Sequence, residues 1–231
     1  MAIKGFFGLI ARLLCLAHNL SQIFFWGYEL FLIFNIWADK GEVITNVMEY
    51  PEVFENLKRI QLLQFFDVLF GILGVTKTNP AISLLQIAAR NFVVLTVFEF
   101  NLKANYAFIA IIPWCIAELV RYPYYTFADL GITGFPGNLF KFLRMNMFLI
   151  LYPIGVIGEC LTTWESWDIL VEERPYRLEM PNIYNFAFDP IYFHGAFFVI
   201  CPLGMLFIYS TLLAARSKYM SGSTKKKVKS D

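Results

Sequence analysis

Tyr152 and Glu159 stand seven residues apart in the segment LYPIGVIGE, a phenol and a carboxylate that could divide proton transfers between them. At about 100° per residue a helix returns them to nearly one face two turns apart, with a rise of roughly 10 Å. Helical side chains lean toward the N-terminus, so Glu159 reaches back toward Tyr152 and narrows that gap. Pro153 removes a helical donor and predicts a kink just beyond Tyr152, while Gly155 and Gly158 leave room for a close-lying partner. The same residues admit a purely structural reading. In it Tyr152 belongs to an interface belt, proline and glycine serve helix packing, and Glu159 snorkels to water.

Further ionisable groups fall in apolar stretches, where they are costly unless they face a bundle interior or a watery cavity. Asp67, Arg90, Glu99, Glu118 and Arg121 are such groups, joined by Gln64, Gln86, Asn91, Asn146 and Tyr122, and together they could line a polar cleft. Glu118 and Arg121 are three apart on one helical face, so a local ion pair is the simplest account. Alternatively Arg121 meets a phosphate or thioester oxygen of a substrate. Arg90, with Arg144 farther along, invites the same two readings, and Asn146 joins them as a candidate substrate contact. Cys115 and Arg121 match the Cys-to-Arg spacing of tyrosine phosphatases, but IPWCIAELVRY reads as helix, whose amides are already bonded and cannot cradle phosphate. His18 and His194 have no nucleophile at suggestive spacing, and the four cysteines show no Cys-x-x-Cys pattern, so neither a hydrolytic triad nor a metal site is expected.

The elements that must position these groups are membrane helices. The 231 residues are 58% hydrophobic and 18% aromatic but only 16% charged, more apolar than a soluble domain can hide. Crossing a hydrocarbon core takes roughly 20 helical residues. About six spans are expected, near Leu13–Trp37, Ile60–Val75, Ile82–Phe100, Ala104–Tyr125, Phe140–Thr163 and Pro190–Leu213. The fold class is therefore an all-α polytopic membrane bundle, one domain over residues 1–219 followed by a flexible basic tail over 220–231. The basic, then apolar start lacks a convincing cleavage site and reads as a retained first span. A net charge of +1 without a basic, aromatic-rich stripe argues against a nucleic-acid partner.

With an even number of spans, Lys4, Arg12, Lys77, Lys141, Arg216 and Lys218 share one side, which should be cytosolic together with both termini. The tail STKKKVKSD is a solvated basic segment suited to anionic lipid. Its Lys227 and Lys229, fifth and third from the end, also resemble a dilysine signal that returns membrane proteins to the endoplasmic reticulum.

The stretches HNLSQIFFWGYEL, AARNF, WCIAELVRYPYYTF, LRMNMFLILYPIGVIGE and MPNIYNFAFD, in this order, resemble the very-long-chain 3-hydroxyacyl-CoA dehydratases, also called protein-tyrosine-phosphatase-like membrane proteins. That resemblance covers nearly the whole length. It implies a catalytic pair at Tyr152 and Glu159, a long-chain (3R)-3-hydroxyacyl-CoA substrate, a trans-2-enoyl-CoA product, and a place in fatty-acid elongation beside the other elongation enzymes. The sequence departs from the family pattern at Asp67 and Phe70, where Glu and His are expected, and at Met145, where Tyr is expected.

Under this resemblance Glu159 is expected to take the proton beside the thioester carbonyl while Tyr152 donates to the departing hydroxyl; the reverse assignment stays open. No metal or redox cofactor is implied, since water leaves without electron transfer. The acyl chain is expected in an apolar channel supplied by residues such as Phe148, Leu149 and Ile150, with the CoA head at the cytosolic mouth. The alternative function is a non-catalytic membrane scaffold that holds elongation enzymes together.

Overall fold

The computed structural model describes residues 6–40, 47–76 and 78–228. Helix α1 is Phe6–Lys40, and a short 3-10 turn at Val47–Glu49 leads into α2, Pro51–Leu63, and α3, Phe65–Ile72. Helix α4, Pro80–Val93, runs on through a wider π-helical turn at Val94–Phe98. Then follow α5 (Ala107–Asp129), α6 (Phe135–Asn146), α7 (Phe148–Glu165), α8 (Trp167–Glu173) and α9 (Ile191–Val228). Local chemistry sets several boundaries. The Asn79 side chain accepts from the Ala81 amide at 3.0 Å and Pro80 opens α4, where its missing N–H costs nothing. Gly74 and Gly131, both at φ +68°, take the left-handed conformation that ends α3 and α5.

The chain is an all-α, polytopic membrane protein. Four of the described helices are long and apolar enough to cross a bilayer: Phe6–Asp39, Pro80–Phe98, Ala107–Asp129 and Ile191–Ser221. The pair α6–α7, bent by 51°, makes five if it counts as one span. The second expected span, Ile60–Val75, is instead divided between α2 and α3 by a break at Gln64. Helix α2 buries Val53, Phe54, Leu57 and Ile60 but carries Glu52, Glu55, Lys58 and Arg59, so it is amphipathic rather than apolar all round.

Helix α5 is the hub, with 56% of its apolar window buried, against 22% for α1 and 17% for α9. The outer helices therefore turn Phe24, Phe31, Val199 and Leu203 outward, as lipid contact requires. Arg12 near the start of α1 and Ala215 in the second half of α9 border the same cavity, so these two parts of the chain share one end of the bundle. Backbone helix continues to Val228, into the stretch assigned to the tail; Lys4, Lys77 and Lys229 lie outside the described residues.

Gly158 of α7 meets the α5 backbone directly. A Cβ there would fall 2.9 Å from Ala110 Cα and closer still to the Ala110 nitrogen, and neither is a side-chain end that can swing aside. Small residues at such crossings let membrane helices approach. Gly158→Ala is expected to cost about 1–3 kcal/mol, the usual toll of overpacking, measured by denaturation in detergent.

Candidate active site

Helices α4, α5, α7 and α9 bound a cavity of about 260 Å³ whose wall includes both Tyr152 and Glu159. Two turns of α7 thus present the phenol and the carboxylate to one chamber, as their spacing suggests. The bend expected beyond Tyr152 lies instead at Met147, before it, and α7 passes through Pro153 as helix. Pro153 has no N–H to give the carbonyl of Leu149 four residues back. Tyr209 of α9 donates its hydroxyl to that carbonyl at 3.4 Å and so meets the need.

Glu159 is buried, and each of its oxygens has a donor from another helix. Trp114 Nε1 of α5 donates to Oε1 at 3.0 Å and Cys201 Sγ of α9 donates to Oε2 at 3.4 Å. The carboxylate is held rather than snorkelling to water. Half-buried Tyr152 receives the Gln86 side-chain amide of α4 on its hydroxyl. That bond leaves the phenolic proton free to be donated onward.

Arg90 lines the same chamber. Its Nη1 lies 2.5 Å from Glu118 Oε1, and its guanidinium sits 5.3 Å from the Trp114 ring centre. Behind it a buried ionic chain continues. Arg121 Nη1 lies 3.2 Å from Glu118 and Nη2 pairs with Asp67, which also accepts from Tyr122 at 2.9 Å and meets His18 at 2.9 Å. The local Glu118–Arg121 pair expected from spacing is present, but Glu118 also serves Arg90 from another helix. Phe70, where the resemblance leads to the expectation of His, packs on His18 from α1, 5.7 Å between ring centres. His194 is likewise satisfied, by Pro190 O and Thr96.

The remaining expected substrate contacts part company. Arg144 borders a second, larger cavity of about 740 Å³ at the end of the bundle, with Arg12, Asn79, Ser83, Tyr125 and Asp129 around it. Gln86 and Ile208 line both cavities and so stand where the two adjoin. Arg121 lines neither, being engaged by Asp67 and Glu118. Asn146 also lies outside both: it donates to Phe142 O at 2.8 Å and accepts from Arg216 Nε at 3.1 Å, tying α6 to α9. Nor do Leu149 and Ile150 line the chamber. Ile150 is 66% exposed, because two residues of helix carry it to the face opposite Tyr152, and Phe148 borders the larger cavity instead.

Trp114 and Cys201 were not anticipated as site residues. No spacing links them to Glu159; the only trace in the sequence is an indole N–H in an apolar span, which requires a polar partner when buried.

A family model described as "Protein tyrosine phosphatase-like protein, PTPLA" matches residues 61–222. The chain is 26% identical over 190 residues to the dog protein named very-long-chain (3R)-3-hydroxyacyl-CoA dehydratase 1, covering 80% of this chain and 74% of that one. It is 26% identical to the Arabidopsis thaliana dehydratase PASTICCINO 2, over 95% of this chain and 98% of the other. The Caenorhabditis elegans dehydratase hpo-8 is 26% identical over 91% of this chain and 96% of its own. No solved structure matches the chain.

Proposed function

Because the chain belongs to the protein tyrosine phosphatase-like family, PTPLA, we infer that it is a lyase removing water from a 3-hydroxyacyl-CoA in fatty-acid elongation. The observation that carries the site assignment is the shared chamber: a held carboxylate and a phenol with a free proton face one apolar space. Glu159 takes the proton from C2 of the (3R)-3-hydroxyacyl thioester. The C3–O bond breaks as Tyr152 gives its proton to the hydroxyl, water leaves, and the C2–C3 double bond of trans-2-enoyl-CoA forms. The proton on Glu159 then returns to the tyrosinate through solvent, closing the cycle. Arg90 is the cation on the chamber wall, placed to favour negative charge growing on the thioester oxygen. Its pairing with Glu118 fixes where that charge sits.

The larger cavity suits the CoA head, with Arg12 and Arg144 as partners for phosphate. We place that end of the bundle, and both termini, in the cytosol of the endoplasmic reticulum membrane, next to other elongation enzymes. Arg12 and Arg144 support this orientation.

The test is turnover by the purified chain in nanodiscs. Loss of (3R)-3-hydroxyacyl-CoA with equal gain of enoyl-CoA is expected; partner binding without turnover would establish the scaffold instead. Gln86→Leu, which removes the partner of Tyr152 but neither reacting group, is expected to lower kcat by about tenfold or less, the worth of one hydrogen bond.

A further inference from the structure

We propose that the acyl tail leaves the chamber sideways, through the seam between α4 and α9, and lies in the bilayer while its thioester end is held between Tyr152 and Glu159. This rests on the dehydratase reading and extends it to the path of the substrate.

Capacity is the first argument. The chamber holds about 260 Å³, and pockets that enclose a drug-sized ligand run to roughly 300–1,000 Å³. A very long acyl chain therefore has to continue elsewhere. The larger cavity at the end of the bundle is an unfavourable route, because Arg12, Asn79, Asp129 and Arg144 border it and would lose water to an alkyl chain. A third hollow of about 630 Å³, beside Phe31, Phe34, Phe108 and Ile112 on α1 and α5, shares no wall residue with the chamber.

The α4–α9 side is different. Leu85 and Ile200 line the chamber yet remain 39% and 58% exposed, so this wall also faces outward. The two helices are fastened by stacked rings and a hydrogen bond toward one end. There the rings of Phe92 and His194 are 4.9 Å apart, those of Phe92 and Phe197 5.6 Å, and His194 Nε2 lies 2.9 Å from Thr96 Oγ1. Toward the other end of α4, a Cβ built on Gly204 would meet a single neighbour within 4 Å, Leu85 Cδ2 at 4.0 Å. The seam is a wedge, fastened by rings and a hydrogen bond at His194 and lightly packed near Gly204, where Leu85 alone makes contact, and it is walled by Leu85, Ala88, Ile200 and Met205. An alkyl chain lying there exchanges apolar wall for lipid tails and leaves no polar group stranded.

The experiment uses the full chain in lipid nanodiscs and compares binding of 3-hydroxyoctanoyl-CoA with 3-hydroxyeicosanoyl-CoA. Gly204→Phe plugs the seam from α9; Ala88→Phe, from α4, serves if the first variant folds poorly. Either plug is expected to weaken the long ligand at least tenfold more than the short one. With a diazirine at the far end of the long chain, photolabel is expected on Leu85, Ala88, Ile200 and lipid. Equal weakening of both ligands, or label confined to Phe31 and Phe108 or to the chamber interior, would overturn the proposal. Neither readout needs turnover. A chain that binds and labels through the seam but forms no enoyl-CoA overturns the dehydratase reading and leaves the exit path supported.

Discussion

Glu159→Gln is expected to lower turnover of a 3-hydroxyacyl-CoA by about a hundred- to ten-thousand-fold, the range that a lost general base commands. The exchange is nearly isosteric. The Gln carbonyl can still accept from Trp114, so a folded protein is expected, with the proton acceptor alone removed. Tyr152→Phe removes the proton donor and the partner of Gln86 but keeps the ring, and a loss of the same order is expected. The two losses should not add, because acid and base act in one event: the double variant is expected to be little worse than the poorer single one. Appearance of the enoyl thioester measures all three. Near-normal rates in both well-folded single variants would end the assignment.

The second large effect concerns stability. Glu118 is buried between Arg90 and Arg121, and Glu118→Ala would leave the largely buried Arg90 with no carboxylate partner among the described residues. Breaking a buried pair from one side costs about 3–5 kcal/mol, far more than the pair itself contributes. Arg121 keeps Asp67, so the loss should centre on Arg90 and the chamber wall. Denaturation in detergent measures it. Glu118→Gln, which still accepts a hydrogen bond, is expected to lie between wild type and Glu118→Ala. If Glu118→Ala unfolds like the wild type, the ionic chain is not structural.

Sequence made the geometry within a helix legible and left hidden what depends on several helices at once. The seven-residue interval between Tyr152 and Glu159 fixes a common face whatever the surroundings, and the two residues do line one chamber. The pairing of Glu118 with Arg121 follows from local spacing in the same way. By contrast Trp114 and Cys201 reach the chamber from two different helices, and no periodicity relates them to Glu159. The partner of Asn146 was hidden in the same way: Arg216 lies 70 positions away on α9. The number of spans was obscured by two breaks, at Gln64 and Met147, neither marked by Gly or Pro at the break itself. Apolar composition continues across Met147, so a hydropathy reading sees one span where the backbone turns by 51°.

The widened turn at Val94–Phe98 has a consequence of its own. There the Glu99 amide reaches back five residues to Val94 O at 3.2 Å, and Val94, Val97 and Phe98 are all fully buried around it. One extra residue is accommodated without unwinding the rod, so the last turn of the helix sits in a different angular phase from the stretch before it. Arg90 is aimed in the first phase and Glu99 in the second. Deleting one residue from this turn would restore uniform pitch and rotate one stretch against the other by about 100°. Thr96 would then swing away from His194, or Arg90 away from Glu118. This turn works as a phase shifter: α4 sets Arg90 and Phe92 against the chamber, and the widened turn brings Thr96 to His194.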